Sequence, residues 1–309
     1  MASIIPPDIP LLDTAPDDPR LGRLLGSRLG TGDIPAAVIL GFPSDEGVRR
    51  NGGRVGAAQG PTATRAALYR LAPDARSEGF DNLLSRTRDL GDLQVSGDVE
   101  ADQQSLGEAL GPHIAQGAFV IVLGGGHETS YGHFLGYVRA GRKVEILNWD
   151  AHADVRELRG GKAHSGSPFR QATEDRSGAC RRYSVAGLQP HAVARAHLAF
   201  VEQHGRAVWR DDVSHERIAQ LYRSSDSPML ASFDLDAVNE AEAPGVSAPS
   251  PVGLTSDLWI EAAYQAGRSP AVTSADLVEL NPAFDRDGQT ARLAAVTVWW
   301  LLRGRSERR

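Results

Sequence analysis

The chain has 309 residues, of which 41% are hydrophobic and 23% charged, enough for one large α/β domain or two ordinary ones and wrong for a disordered, collagen-like or coiled-coil protein. Its 33 Lys+Arg against 39 Asp+Glu leave a net charge of -6, which argues against nucleic acid or an anionic membrane as the main partner. The single cysteine, Cys180, excludes an internal disulfide and a thiolate zinc cluster, so any bound metal has to be held by nitrogen and oxygen.

Residues 1–35 hold six of the 18 prolines (Pro6, Pro7, Pro10, Pro16, Pro19, Pro35) and show no sustained period, which predicts an irregular arm with a mobile start. The opening MASIIPPDIP has no basic and apolar leader, and no apolar run approaches the ~18 residues of a membrane span, so a cytoplasmic address is expected. From Ala36 onward short apolar runs alternate with helix-length segments. The runs are AAVILGF (36–42), AFVIVLGG (118–125), VEILNWD (144–150), YSVAGL (183–188), PMLASFDLD (228–236) and AVTSADLVEL (271–280). Strands buried on both faces read this way, and their alternation with helices predicts βαβ units and a parallel sheet, open or closed into a barrel. Gly60-Pro61 starts a helix over TATRAALYRLA, with proline where its missing N–H costs nothing. A last helix, near 290–303, places Leu293, Val296, Trp300 and Leu301 at helical spacing, a packing stripe. The arginine-rich tail RGRSERR is expected to face solvent. Without a repeat or low-complexity linker, one domain over 36–309 is the simplest account.

The chemistry-bearing residues fall at the carboxyl ends of three of these runs, where open α/β sheets place their sites. After IVL comes Gly124-Gly125-Gly126-His127-Glu128; after EILNW, Asp150-Ala151-His152-Ala153-Asp154; after LASF, Asp234-Leu235-Asp236. Residues two apart in extended chain point the same way, so Asp150, His152 and Asp154 converge, as do Asp234 and Asp236. Each motif alone has an ordinary explanation, a glycine-rich turn or a solvated acidic loop; three together, each ending a buried strand, do not. Clustered aspartates there repel and lose hydration unless cations are supplied. Two divalent ions balance the four carboxylates, with the neutral imidazoles of His127 and His152 completing the set. Carboxylate-rich sites with a little imidazole and no thiolate suit Mn²⁺ better than structural zinc. Two such ions, roughly 3.5–4 Å apart, convert a shared water to hydroxide near neutral pH, which makes a hydrolase. The histidines at 113, 133, 191, 197, 204 and 215 carry no such spacing and are expected at the surface or in caps.

These motifs, in this order, resemble the ureohydrolase superfamily of arginase and agmatinase, from about Val38 to the final helix. Within it SDEGVRRNGGRVGAAQGP (44–61), GGGHE, DVR after the aspartate triad, HSGSPFRQ (164–171) and APGVSAP (243–249) look like the formimidoylglutamase branch. Asn239-Glu240 departs from the Asp-Pro that arginases usually carry. The resemblance implies a three-layer α/β/α domain with a mostly parallel sheet of about eight strands. It also implies that His127, Asp150, His152, Asp154, Asp234 and Asp236 hold two Mn²⁺ per chain. The implied reaction is hydrolysis of N-formimidoyl-L-glutamate to L-glutamate and formamide: hydroxide attacks the formimidoyl carbon, and the bond to the glutamate nitrogen breaks. By the same resemblance Asp154 carries the proton to the leaving amine, Glu279 orients the cationic amidine, and His164 matches a loop histidine used for proton traffic, or is a substrate hydrogen-bond donor or a simple loop residue. The substrate's two carboxylates call for arginine, and Arg156 is the sharpest candidate, with Arg54 and Asn51 behind it and Arg49, Arg50 and Arg170 weaker. The family is usually homo-oligomeric. The alternatives are another ureohydrolase (arginase, agmatinase or a guanidino-acid hydrolase), a single-zinc deacetylase, and a catalytically silent relative.

Overall fold

The structure is a computed structural model that describes residues 3–223 and 227–308. Its strands among the described residues are β1 (Ile4–Ile5), β2 (Ala37–Phe42), β3 (Thr87–Leu93), β4 (Phe119–Gly124), β5 (Val144–Trp149), β6 (Cys180–Leu188), β7 (Ala207–Trp209), β8 (Met229–Asp234) and β9 (Val272–Val278). They form one sheet in the order β1-β3-β2-β4-β9-β8-β5-β6-β7, parallel except for β1. The sheet ends at two separate edges, which settles the choice between open sheet and barrel.

Alternate side chains explain the unbroken apolar runs. Val38, Leu40, Phe42, Val120 and Val122 pack under the helices Val99–Ala115, Thr129–Arg139 and Arg195–His204, while Ala37, Ile39, Phe119, Ile121 and Leu123 face the opposite layer. That second layer comprises Gly60–Leu68, His215–Arg223, Ser256–Arg268 and Gln289–Arg305. The expected three-layer α/β/α arrangement is therefore present. No helix among the described residues is long and apolar enough to cross a membrane.

Several expectations are corrected. The proline-rich arm is not loose from its start: Ile4 and Ile5 pair antiparallel with Leu93 and Asp92 at the sheet edge, and Leu21–Leu24 forms a helical turn with Leu21 buried. β3 escapes a hydrophobic-run reading because TRDLGDL is charged, and it folds as a strand because buried Arg65 pairs with Asp89 (2.9 Å) and Asp92 (2.5 Å). β7 has only three residues and no run to detect. In the last helix the buried face is Ala291, Ala294, Ala295, Val298, Leu301 and Leu302, small residues that let it approach the layer beneath, whereas Leu293, Val296 and Trp300 are half-buried on its flank. Trp299 and Trp300 pack edge-on against Phe80 and Tyr264. Nor does the arginine tail simply face solvent: Arg303 bonds Asp74 at 2.8 Å, Arg308 bonds Gly267 O at 2.6 Å, and Arg309 lies outside the described residues.

Candidate metal centre

Four neighbouring strands, β4, β9, β8 and β5, end side by side, and each delivers a polar group at its carboxyl end. β4 leads through Gly124–Gly126 to His127, β9 to Glu279, β8 ends on Asp234, and β5 leads into Asp150. The triple glycine is steric in origin. A Cβ on Gly125 would sit 2.0 Å from the Ser44 carbonyl oxygen, and one on Gly126 2.3 Å from Glu128 Oε2.

His127 is 1% exposed, and its Nε2 lies 3.1 Å from Ser232 Oγ, so Nδ1 is the nitrogen that faces the cluster. Nδ1 lies 2.8 Å from Asp234 Oδ2, 3.0 Å from Asp154 Oδ2 and 3.4 Å from Asp150 Oδ2, yet is without a hydrogen bond of acceptable geometry. Asp150 turns its other oxygen toward His152, whose Nδ1 lies 3.4 Å from Asp150 Oδ1 and 3.0 Å from Asp236 Oδ2. Two ligand groups result, His127/Asp150/Asp154/Asp234 and Asp150/His152/Asp236, sharing Asp150 as a bridge, with the ligand atoms of each group within 4.8 Å of one another. Buried Asp236 Oδ1 also has no partner. Three carboxylate oxygens crowding an unpartnered imidazole nitrogen is stable only around a cation. The donor set, four carboxylates and two imidazoles, fits two hard divalent ions.

The electrostatics agree. Burial raises the Asp234 carboxyl well above its usual range, and Asp236 and Asp150 raise it further. Burial alone would depress His127, but Asp234 and Asp154 outweigh it and raise its pKa well above the ordinary histidine value. For His152 the Asp236 charge is the largest influence, also upward. Without metal, protons are drawn to the places cations would occupy.

Glu279 is buried, and its Oε1 accepts from the His127 backbone N–H at 2.8 Å. Burial first, then Glu128 and Asp236, push its carboxyl pKa up. Asp154 (φ 45°) and Glu279 (φ 67°) both hold left-handed backbone, a strained setting for residues with a Cβ and one that concentrates at functional sites.

Above the cluster lies a cavity of 330 Å³ whose floor is His152, Asp154, Asp234, Asp236 and Glu279 and whose rim includes Asn51, Arg54 and Arg156. Arg156 donates to Asn51 Oδ1 at 3.0 Å, and Asn51 Nδ2 donates to Ser165 Oγ at 3.1 Å. Arg54 is more committed: Nε and Nη2 donate to the Ser247 and Val246 carbonyls (2.9 and 2.5 Å), and the guanidinium lies 4.0 Å over the Phe284 ring. Arg49, Arg50 and Arg170 are not brought to this cavity; each is paired, with Glu46, with Glu46 and Glu100, and with Glu174 respectively. His164 also stays out. Its Nδ1 accepts from Gly166 N–H at 3.1 Å and its Nε2 lies 3.0 Å from the Glu157 carbonyl, so both nitrogens serve the loop's own backbone. That geometry does not supply the proton traffic expected of it. A larger cleft of 840 Å³, lined by Tyr222, Gln265 and Arg268 among others, sits at the opposite end of β8 and β9 and gathers no such groups.

Sequence reading missed the support behind the ligands. Ser232 Oγ donates to Asp276 Oδ1 at 2.5 Å, Ser130 Oγ lies 3.2 Å from the same oxygen, and His133 Nδ1 is 2.7 Å from Asp276 Oδ2. Far from being a surface residue, His133 is fully buried. The available signal was a serine and an aspartate interrupting doubly buried strands, where a polar group must have a partner. Glu128, also missed, accepts from Gly47 N–H at 2.9 Å and Ser44 Oγ at 3.2 Å, tying the segment that carries Asn51 and Arg54 to the His127 turn.

Comparison with known proteins places this geometry in a family. A model described as the arginase family matches residues 35–303. The formimidoylglutamase of Chromobacterium violaceum is 38% identical over 87% of this chain and 88% of its own, and that of Klebsiella pneumoniae 38% identical over 93% and 92%. The crystal structure of Trypanosoma cruzi formiminoglutamase with two Mn²⁺ superposes with a TM-score of 0.86 at 31% identity, covering 95% of this chain and 100% of that one.

Proposed function

The chain belongs to the arginase family, and from that premise we propose that the cavity over its metal centre takes N-formimidoyl-L-glutamate, amidine end down. The reaction is hydrolysis to L-glutamate and formamide, and the cofactor is two Mn²⁺ per chain. The observation that carries the substrate assignment is the polarity of the cavity, acidic at its floor and lined by Arg54 and Arg156 at its rim. A cationic amidinium lies against the floor and two carboxylates reach the guanidinium groups, whereas a substrate with no carboxylate leaves the rim charge unanswered.

His127, Asp150, Asp154 and Asp234 would hold one ion, and Asp150, His152 and Asp236 the other. When bound, the metal pair supplies a nucleophilic water ionised near neutral pH and stabilises the charge developing at the attacked carbon. Glu279, fixed by the His127 N–H, pairs with the amidinium and orients the carbon. Asp154, at the cavity floor, carries a proton to the glutamate nitrogen as its bond to carbon breaks. Arg156, held by Asn51, grips a substrate carboxylate, and Arg54 anchors the 243–249 segment while offering its remaining donors. His164 acts as a brace for the loop bearing Ser165.

Residues 36–309 are taken as the catalytic domain, the arm adding a strand to its edge. A cytoplasmic homo-oligomer is the proposed state, on the lone cysteine and the habit of the family. The test is a substrate panel comparing N-formimidoyl-L-glutamate with arginine, agmatine and guanidino acids: formamide release from the first supports the reading, and urea release from the others with no turnover of the first overturns it.

A further inference from the structure

At the end of the sheet opposite the metal centre, two adjoining cavities of 170 and 160 Å³ open at the amino ends of β2, β4 and β9. They share Arg305 and Arg308; Arg86 lines the first and Arg142 the second, and no acidic side chain lines either. None of these four arginines forms an ion pair with a described residue.

Part of this positive charge has an ordinary structural use. Arg308 donates to the Gly267 and Ala266 carbonyls (2.6 and 3.1 Å), capping the helix Ser256–Arg268, and its guanidinium lies 5.0 Å from the Phe119 ring centroid. Arg142 caps the helix Val99–Ala115 through the Ala115 carbonyl at 2.8 Å. Two more helices end here, Glu78–Ser85, whose C-cap is Arg86, and Gln289–Arg305 itself. Each carboxyl end is worth about -0.5 charge, so four supply about -2 against four full positive charges, and the cavities keep a positive excess. Arg305 is the sharpest case: half-buried, it donates to no described residue. Burial, and then the Arg86 charge, lower its pKa, while burial and then Arg305 push Arg308 down to about 9. A guanidinium stays charged in proteins, so these side chains, half-buried side by side with no acidic group lining either cavity, leave room for an anion.

We propose that these two cavities form a binding site for a small dianion, an oxyanion of the sulfate and phosphate type or a dicarboxylate, held by Arg86, Arg305 and Arg308. The planar donor forks suit bidentate capture of such groups, and the small volumes exclude a nucleotide. Lying at the opposite end of the strands from the metals, the site is separate from the substrate cavity. It goes beyond the proposed reaction and does not depend on which amidine is hydrolysed.

The test titrates the manganese-loaded protein with sodium sulfate and, separately, sodium succinate, following the unfolding temperature against sodium chloride at equal ionic strength. Wild type is expected to show a saturable rise with at least one dianion, sulfate alone marking an oxyanion site and succinate alone a dicarboxylate site. Arg305→Gln should weaken that binding about tenfold or more, with metal content and substrate KM unchanged. Arg86→Gln, at an exposed position on the rim, should shift the titration the same way and covers the case in which Arg305→Gln folds poorly. Titrations that coincide in wild type and both variants, or a rise that sodium chloride reproduces, would overturn the proposal.

Discussion

The backbone N–H of His127 donates to Glu279 Oε1 at 2.8 Å, while the backbone N–H of Glu279 donates to the Gly125 carbonyl at 2.8 Å, so the ends of β4 and β9 are laced in both directions. This lacing holds Glu279 in its left-handed conformation and ties the carboxylate proposed to meet the amidine to the turn that presents His127 to the carboxylate cluster. Glu279→Gln keeps an oxygen acceptor for the His127 N–H but removes the charge. Manganese content should stay near wild type while kcat/KM falls about 10²-fold, as for loss of a buried charge-assisted pair. Unchanged kcat/KM would remove Glu279 from substrate binding.

Metal retention should depend on both the ligands and their support. Asp234→Ala should lose activity by about 10³-fold or more and bind little manganese while the metal-free fold persists, read by circular dichroism and elemental analysis. Ser232→Ala removes the hydroxyl that links His127 to Asp276, so manganese should bind about 10 to 100-fold more weakly with the ligand set intact. Full-strength metal binding in Ser232→Ala would show that packing alone orients the imidazole.

At the rim, Arg156→Ala should raise KM for the dicarboxylate substrate about tenfold or more, with a smaller effect on kcat. Asn51→Ala, which frees the guanidinium without deleting it, should raise KM less. Steady-state kinetics decide, and an unchanged KM in Arg156→Ala would remove its carboxylate role.

Glu46 provides a pH dependence away from the metals. Bidentate pairing with Arg49 (2.6 Å on each arm), aided by Arg50, lowers its pKa from 4.5 to about 2. The folded value lies below the unfolded one, so the pairing stabilises the fold above pH 4.5 and that contribution disappears as pH falls toward 2. Denaturant titrations of the metal-free protein should therefore show a shallower acid-side loss of stability for Glu46→Gln than for wild type. The difference should be modest, since Arg49 is largely exposed. Parallel curves would contradict the assigned pairing.

The central strands were legible because both their faces are buried, which makes their sequences continuous apolar runs; the ligand motifs were legible because they interrupt those runs at the carboxyl ends. Charged β3 was not, since its aspartates are neutralised by Arg65 from a helix more than twenty residues earlier. The Ser232–Asp276–His133 network was legible only as polar residues interrupting buried strands, since its pairing is a contact between distant segments. His164 illustrates the converse: its motif resembles a functional loop, but only coordinates reveal that both ring nitrogens are used by neighbouring backbone.

The decisive measurement is product identification with purified, manganese-loaded protein acting on N-formimidoyl-L-glutamate, repeated after metal removal. Equimolar glutamate and formamide are expected, with activity lost on chelation and restored by Mn²⁺. Turnover that survives complete metal removal, or no turnover of this substrate beside urea release from a guanidine, would overturn the proposed hydrolysis.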